Sequence, residues 1–295
     1  MDIRAILAGL AFALMWSSAF TSARIIVADA SPMLALTLRY LISGLLGVGI
    51  ARAMGQSWHL TPAQWRATII FGVLQNALYL GLNFVAMQTV QASLASIIAS
   101  TMPLCVALAT WLVLGDKLRP LGIAGLCAGV VGVVIIMGAR LRGGVDVFGV
   151  TLCFIGVIAL TVATLSVRGA TSGGNFLMVV GLQMLVGCVA CGIALLLFET
   201  PRIDPSLELV LAFAYTTLVP GLAATLVWFW LVNRIGATRA ATFHFLNPFF
   251  GVAVAAVFLG EPLGSRDILG VAIIALGILA VQLSRQPLTR KAPAT

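Results

Sequence analysis

Charge is scarce in this chain. Asp, Glu, Lys and Arg make up 9% of its 295 residues, against roughly one quarter in soluble domains. With 61% of its residues hydrophobic, the chain cannot cover a water-facing surface, and no polar stretch is longer than a loop. An appended soluble domain is therefore excluded. No Asp or Glu falls in the middle of an apolar run, so a carboxylate relay of the kind proton antiporters use has no members. HExxH, GxSxG and P-loop patterns are absent, which leaves catalysis without candidate residues and marks no metal or cofactor. Although the net charge is +8, no basic patch interleaved with aromatics marks a nucleic-acid partner. The five cysteines all lie in apolar runs. Cys188 and Cys191 form a CxxC without basic neighbours or further ligands, which reads as small packing residues.

What the chain does have is long apolar runs, ten of them, at roughly 3–28, 31–54, 64–87, 90–114, 119–139, 147–168, 174–198, 207–233, 236–259 and 265–284. Each is continuous over about 20 residues rather than alternating, which predicts membrane-spanning helices and not a barrel. Ser31-Pro32, Thr61-Pro62, Arg119-Pro120, Ser172-Gly173-Gly174, Asp204-Pro205 and Glu261-Pro262 punctuate the helix ends. The first run lacks a cleavage site of small residues and is read as a helix, not a signal peptide. With ten spans both termini share a side. That side carries Arg4, Arg52, Arg66, Lys117, Arg119, Arg168, Arg234, Arg239, Arg285, Arg290 and Lys291, and the other only Arg24, Arg140, Arg142, Arg202 and Arg266. The positive-inside rule then predicts cytoplasmic termini.

The chain is also written twice, about 145 residues apart. Val90–Gly132 aligns with Ile235–Gly277, placing Pro103 on Pro248, Leu114-Gly115-Asp116 on Leu259-Gly260-Glu261, Gly125 on Gly270 and Gly132 on Gly277. Two repeats, 1–142 and 143–285, would each hold five helices, followed by a cytoplasmic tail at 286–295. An odd number of spans per repeat inverts the second copy. Inverted repeats supply outward-open and inward-open states from one fold, with a site near the midplane.

Ten helices, paired prolines in the fourth and ninth runs, and LGD/LGE endings resemble the EamA-type carriers of the drug/metabolite transporter superfamily. The likeness covers the whole chain and is densest in LAGLAFALMWSSAFTSAR and LNPFFGVAVAAVFLGEPL. Within the superfamily the chain looks most like the YddG-type exporters of amino acids and methyl viologen. Asp116 departs from the usual Glu, which Glu261 keeps. The resemblance implies an exporter of small solutes, from amino acids to lipophilic cations, across the lipid bilayer of the plasma (inner) membrane. A nucleotide-sugar or sugar-phosphate exchanger of similar build would need intramembrane Lys or Arg pairs, and only Arg39 is available. An intramembrane enzyme or a structural membrane protein is the alternative outside transport.

Polar and aromatic residues in mid-helix are costly in lipid and mark the candidate site. On the first helix these are Trp16, Ser17, Phe20 and Thr21. On the third, Gln75, Asn76, Tyr79 and Asn83 form a stripe at helical spacing, whose amides either meet a zwitterion or bond neighbouring helices. Thr161 and Thr164 on the sixth, Tyr215, Thr216 and Trp228 on the eighth, and His244 and Asn247 on the ninth complete the predicted wall. Pro103 and Pro248 each remove a helical N–H, freeing the carbonyls of Ala99 and His244, and are read as paired hinges. His244 either carries a coupling proton or is a neutral, hydrogen-bonded core residue. Arg39 either snorkels, pairs with Asp29 or binds a substrate carboxylate, with a structural role favoured. Gly122, Gly125, Gly129 and Gly132 line one face of the fifth helix and predict close packing, within the chain in preference to between protomers.

Overall fold

A computed structural model describes residues 3–113, 115, 117–166 and 174–285. Among these, ten helices are long and apolar enough to cross a membrane. The first repeat holds α1 (Ile3–Asp29), α2 (Pro32–Ala53), α3 (Pro62–Ala86), α4 (Ala92–Leu112) and α5 (Pro120–Arg140). The second holds α6 (Val147–Ser166), α7 (Phe176–Phe198), α8 (Leu207–Ile235), α9 (Arg239–Leu259) and α10 (Ser265–Ser284). The protein is an all-α polytopic membrane protein of two inverted five-helix repeats. Leu114 and Asp116, Arg168, Ser172-Gly173 and the 286–295 tail lie outside the described residues.

Helix partners exchange between the repeats as a twofold axis in the membrane plane requires. α2 packs along α7, α5 along α10 and α4 against α9, each with its own counterpart. α1 lies against α8 and α9, and its counterpart α6 lies against α3 and α4. The α5–α10 seam is built on glycine. Backbone approaches backbone so closely that a Cβ on Gly125 would meet the Gly277 carbonyl oxygen at 2.6 Å, and one on Gly132 the Gly270 oxygen at 2.9 Å. Gly122 packs on Ser284 and Gly129 on Leu104, so this face serves contacts within the chain. Small residues let dispersion act between helices where lipid removes any hydrophobic drive to associate. The outward faces carry large exposed side chains such as Leu196, Phe198, Val113 and Val257, tolerable only against lipid tails.

Helix ends strand backbone groups, and the loops supply their partners. Thr61 and Gln64 form a reciprocal capping box on α3, and Ser206 Oγ accepts the Leu209 N–H at 2.9 Å on α8. α2 and α7 cap one another. The Glu199 carboxylate after α7 accepts the Met33 and Leu34 N–H groups of α2 at 2.9 and 3.3 Å, and Gln56 Oε1 after α2 accepts the Met178 N–H of α7 at 3.0 Å. Burial lifts the Glu199 carboxyl above the usual carboxylate range, although those two N–H groups pull it down.

Replacing Gly277 by Val should cost about 1–3 kcal/mol or prevent folding, because two backbones cannot both yield. Gly138→Ala, where a Cβ meets nothing within 4 Å, should be neutral or slightly stabilising through helix propensity. Thermal unfolding of the two variants in the same detergent checks the contrast.

Candidate functional site

Four helices break where they face the centre of the bundle. α3 widens into a π-helix over Gly72–Leu80, and α8 does so over Val219–Ala223 at Pro220. α4 is interrupted at Thr101 just before Pro103, and α9 tightens into a 3-10 helix over Phe243–Leu246 just before Pro248. α3 with α8 and α4 with α9 are counterparts, so both kinds of break obey the repeat. Irregular backbone at membrane depth persists only where protein or a cavity supplies partners, and π segments recur at functional sites.

The breaks surround a cavity of about 360 Å³. Its lining reaches Gln64 in the first turn of α3 and Phe176 at the start of α7, both on the face where the chain termini lie. It runs inward past Phe71, Gln75 and Tyr79 to Phe20, Arg39 and Pro220. Beyond these lies a second, smaller pocket of about 50 Å³ toward the opposite face. Trp16, Phe20, Arg39, Gln75, Tyr79, Leu80 and Pro220 line both.

Among the predicted residues, Trp16, Phe20, Gln75, Asn76, Tyr79, Thr164, Trp228, His244, Asn247 and Pro103 line the main cavity. Asn83 lines only the smaller pocket, with its Nδ2 donating to the Tyr79 carbonyl at 2.8 Å and its Oδ1 buried without a partner. Depth along α3 explains this: Asn83 lies one turn beyond Tyr79, on the closed side, where Gln75 and Tyr79 also line the smaller pocket. Three others are placed elsewhere. Ser17 is buried facing Gly251 of α9. Thr161 is buried and donates back to Val157 at 2.8 Å. Tyr215 is half-exposed, its hydroxyl 2.7 Å from Ser18 Oγ between α8 and α1. Pro248 is buried and lines neither pocket, and the His244 carbonyl it was expected to free accepts the Asn247 N–H that closes the 3-10 turn.

Asn76 serves both readings of the stripe, since it lines the cavity while its Nδ2 donates to the Gln183 carbonyl at 2.9 Å. His244 stands edge-on to Phe12 with centroids 5.4 Å apart and tilted to Trp228 at 5.4 Å, and Asn247 Nδ2 donates to its Nδ1 at 2.9 Å. Phe12 and Trp228, 4.8 Å apart, complete an aromatic wall. Phe12, Gln64, Arg39, Gln183 and Pro220 also line the cavity and were not among the predicted lining residues. Gln183 and the Pro220-Gly221 pair, polar or irregular inside apolar runs, carried a legible signal. Arg39 does not pair with Asp29, which instead accepts from the Ser206 hydroxyl.

The face opposite the cavity mouth is tied shut by ionic and carboxylate contacts. Arg140 pairs with Asp267 at 3.0 Å and also reaches Gln91, Arg202 Nη2 donates to the Ala28 carbonyl at 2.6 Å, and Arg24 donates to the Met87 carbonyl. Glu261 places its two carboxylate oxygens on the Ala92 and Ser93 N–H groups at 2.7 and 3.0 Å, capping α4 from the end of α9. Gly260, in the left-handed region at φ +64, makes the turn that delivers it. The Leu-Gly-acid ending is thus a cap for the partner repeat.

The family model for EamA-like transporters matches this chain twice, over residues 3–138 and 147–283. The chain belongs to the EamA-like transporter family. It is similar to the uncharacterized transporter YvbV of Bacillus subtilis, at 26% identity over 91% of this chain and 88% of that one. An uncharacterized transporter of Archaeoglobus fulgidus shares 23% identity over 92% and 95%. A solved crystal structure superposes with a TM-score of 0.69 at 21% identity, covering 96% of this chain and 98% of the other, which establishes likeness of fold. The protein is a multi-pass membrane transporter handling small solutes. The relatives support the family and not the YddG-type subtype.

Replacing Glu261 by Ala should expose the α4 amides. Hydrogen–deuterium exchange of the peptide holding Ala92 and Ser93 should speed up about tenfold, the equivalent of a lost cap of about 1–2 kcal/mol. Unchanged exchange would mean the cap contributes nothing to closure.

Proposed function

We propose that this transporter is a secondary exporter of small amphipathic solutes, foremost amino acids including aromatic ones, working by alternating access between the repeats 1–142 and 143–285. One observation carries the reading: the residues that floor the open cavity also line the pocket on its closed side. A substrate group held there meets one face in the present state and the other after the repeats exchange shapes. Around it stand buried polar atoms without partners, the donor Arg39 Nη1 and the acceptors Asn83 Oδ1 and Asn247 Oδ1. Stranded donors and acceptors together suit the carboxylate and ammonium of a zwitterion. The aromatic wall of Phe12, Trp16 and Trp228 suits an apolar side chain.

With both termini in the cytoplasm of a cell whose inner membrane holds the protein, the present state is inward-open, and Pro103 and Pro248 are the flexing points. Sugar-phosphate exchange has less support, because Arg39 is the sole Lys or Arg among the lining residues. Among the described residues no Asp or Glu lines the cavity, which favours facilitated diffusion over strict proton coupling.

Counterflow in proteoliposomes tests this directly. Labelled phenylalanine should accumulate against unlabelled internal phenylalanine, at the same rate with and without a pH gradient. Tyr79→Ala should slow large side chains more than small ones, and Pro103→Ala and Pro248→Ala should bias spin-label distances across the two gates in opposite directions. Absence of flux for every amino acid tried would reject the substrate assignment.

A further inference from the structure

Arg39 is the one charged residue among the described residues lining the two pockets. It lies eight residues into α2 and is only 7% exposed. A guanidinium buried at membrane depth is costly unless paired, and structural arginines at such depth hold a carboxylate or saturate their fork with carbonyls. Arg39 does not meet that pattern. Among the described residues its Nη1 has no hydrogen-bond partner and no acid lines either pocket, while the Tyr40 ring lies 5.7 Å from the guanidinium carbon. The fold leaves space beside it. Gly221, in the π segment of α8, has no side chain where a Cβ would stand 3.7 Å from Arg39 Nη2 and 3.9 Å from Ser43 Oγ, a second buried group without a partner.

We propose that Arg39 is the anion anchor of the transport site, and that the solute class is amphipathic carboxylates, with the carboxylate on Arg39 and the apolar body toward Trp16 and Phe20. This rests on the carrier reading above and narrows it. The ammonium of an amino acid meets only neutral amide oxygens, so it is dispensable, whereas the carboxylate is not. A lipophilic cation would face the uncompensated Arg39 charge and is excluded. A counter-ion supplied by the cargo also accounts for a charged group at the floor of both pockets.

Four probes that share one aromatic body separate the charges: phenylacetate, phenylalanine, the neutral phenylacetamide and the cationic phenethylamine. Binding is read by intrinsic tryptophan fluorescence, with Trp16 and Trp228 in the cavity wall, and by the melting temperature of the purified, detergent-solubilised full chain. Phenylacetate and phenylalanine should bind wild type about 10- to 100-fold tighter than phenylacetamide, the range of a charge-assisted hydrogen bond, and phenethylamine should not bind. Arg39→Gln should erase the gap between phenylacetate and phenylacetamide, and Arg39→Lys should restore part of it. The empty Arg39→Gln protein should melt no lower than wild type, since the change removes an unpaired buried charge. A structural arginine predicts the reverse, a lower melting point. Equal binding of phenylacetate and phenylacetamide by wild type overturns the anchor without any variant, as does a preference for phenylacetate that survives Arg39→Gln. Either result leaves the carrier reading standing, since that reading is tested separately by flux in proteoliposomes.

Discussion

In a bilayer every backbone N–H and C=O must find a partner inside the protein, and this constraint organises the whole molecule. It makes the spans helical and forces carboxylates and amides onto helix ends. It also means that a broken helix can exist only where something answers the exposed groups. Four helices break here, in two counterpart pairs, and all four face one cavity. The cavity and the breaks are one feature: a packed bundle of unbroken helices would leave neither the space nor the polar lining.

The placement of charge follows from the same medium. Asp267, Glu199, Glu261 and Asp29 sit at helix ends, where they pair with Arg140, cap α2 and α4, or take the Ser206 hydroxyl. Each works on an element of the other repeat, so the acids at this face hold the two halves together where the cavity is closed. A carboxylate on two N–H groups at a helix N-terminus gains from both the hydrogen bonds and the helix dipole. Against this background Arg39 stands apart, buried far from any helix end with a nitrogen left open.

The glycine seams do a different job. Along α5 with α10, and along α2 with α7, backbone approaches backbone through Gly125, Gly277, Gly47 and Gly181. α5 and α10 contribute no described residue to the cavity lining. They form a close-packed outer seam around the broken inner helices.

The ten spans, their inversion and the family likeness could all be read before any coordinates, because each depends on hydropathy and self-similarity summed over whole helices. Most of the polar stripe was legible for the same reason: Gln75, Asn76 and Tyr79 are polar or amphipathic residues that lipid would reject. Other assignments depended on local helix geometry and distant partners. The confinement of Asn83 to the smaller pocket came from its depth along α3, the diversion of Ser17 and Tyr215 from the faces that α1 and α8 present to their neighbours. Glu261 read as a motif ending, and only its position 2.7 Å from the Ala92 N–H made it a cap. Sequence by itself determined that this chain spans a membrane as an inverted pair of five-helix units, since the free energy of burying apolar segments in lipid is local and additive. Tertiary structure alone decided which polar groups meet the cavity and that no described acid stands beside Arg39, because a hydrogen-bond partner is set by three-dimensional placement and leaves no trace in the run of residues around it.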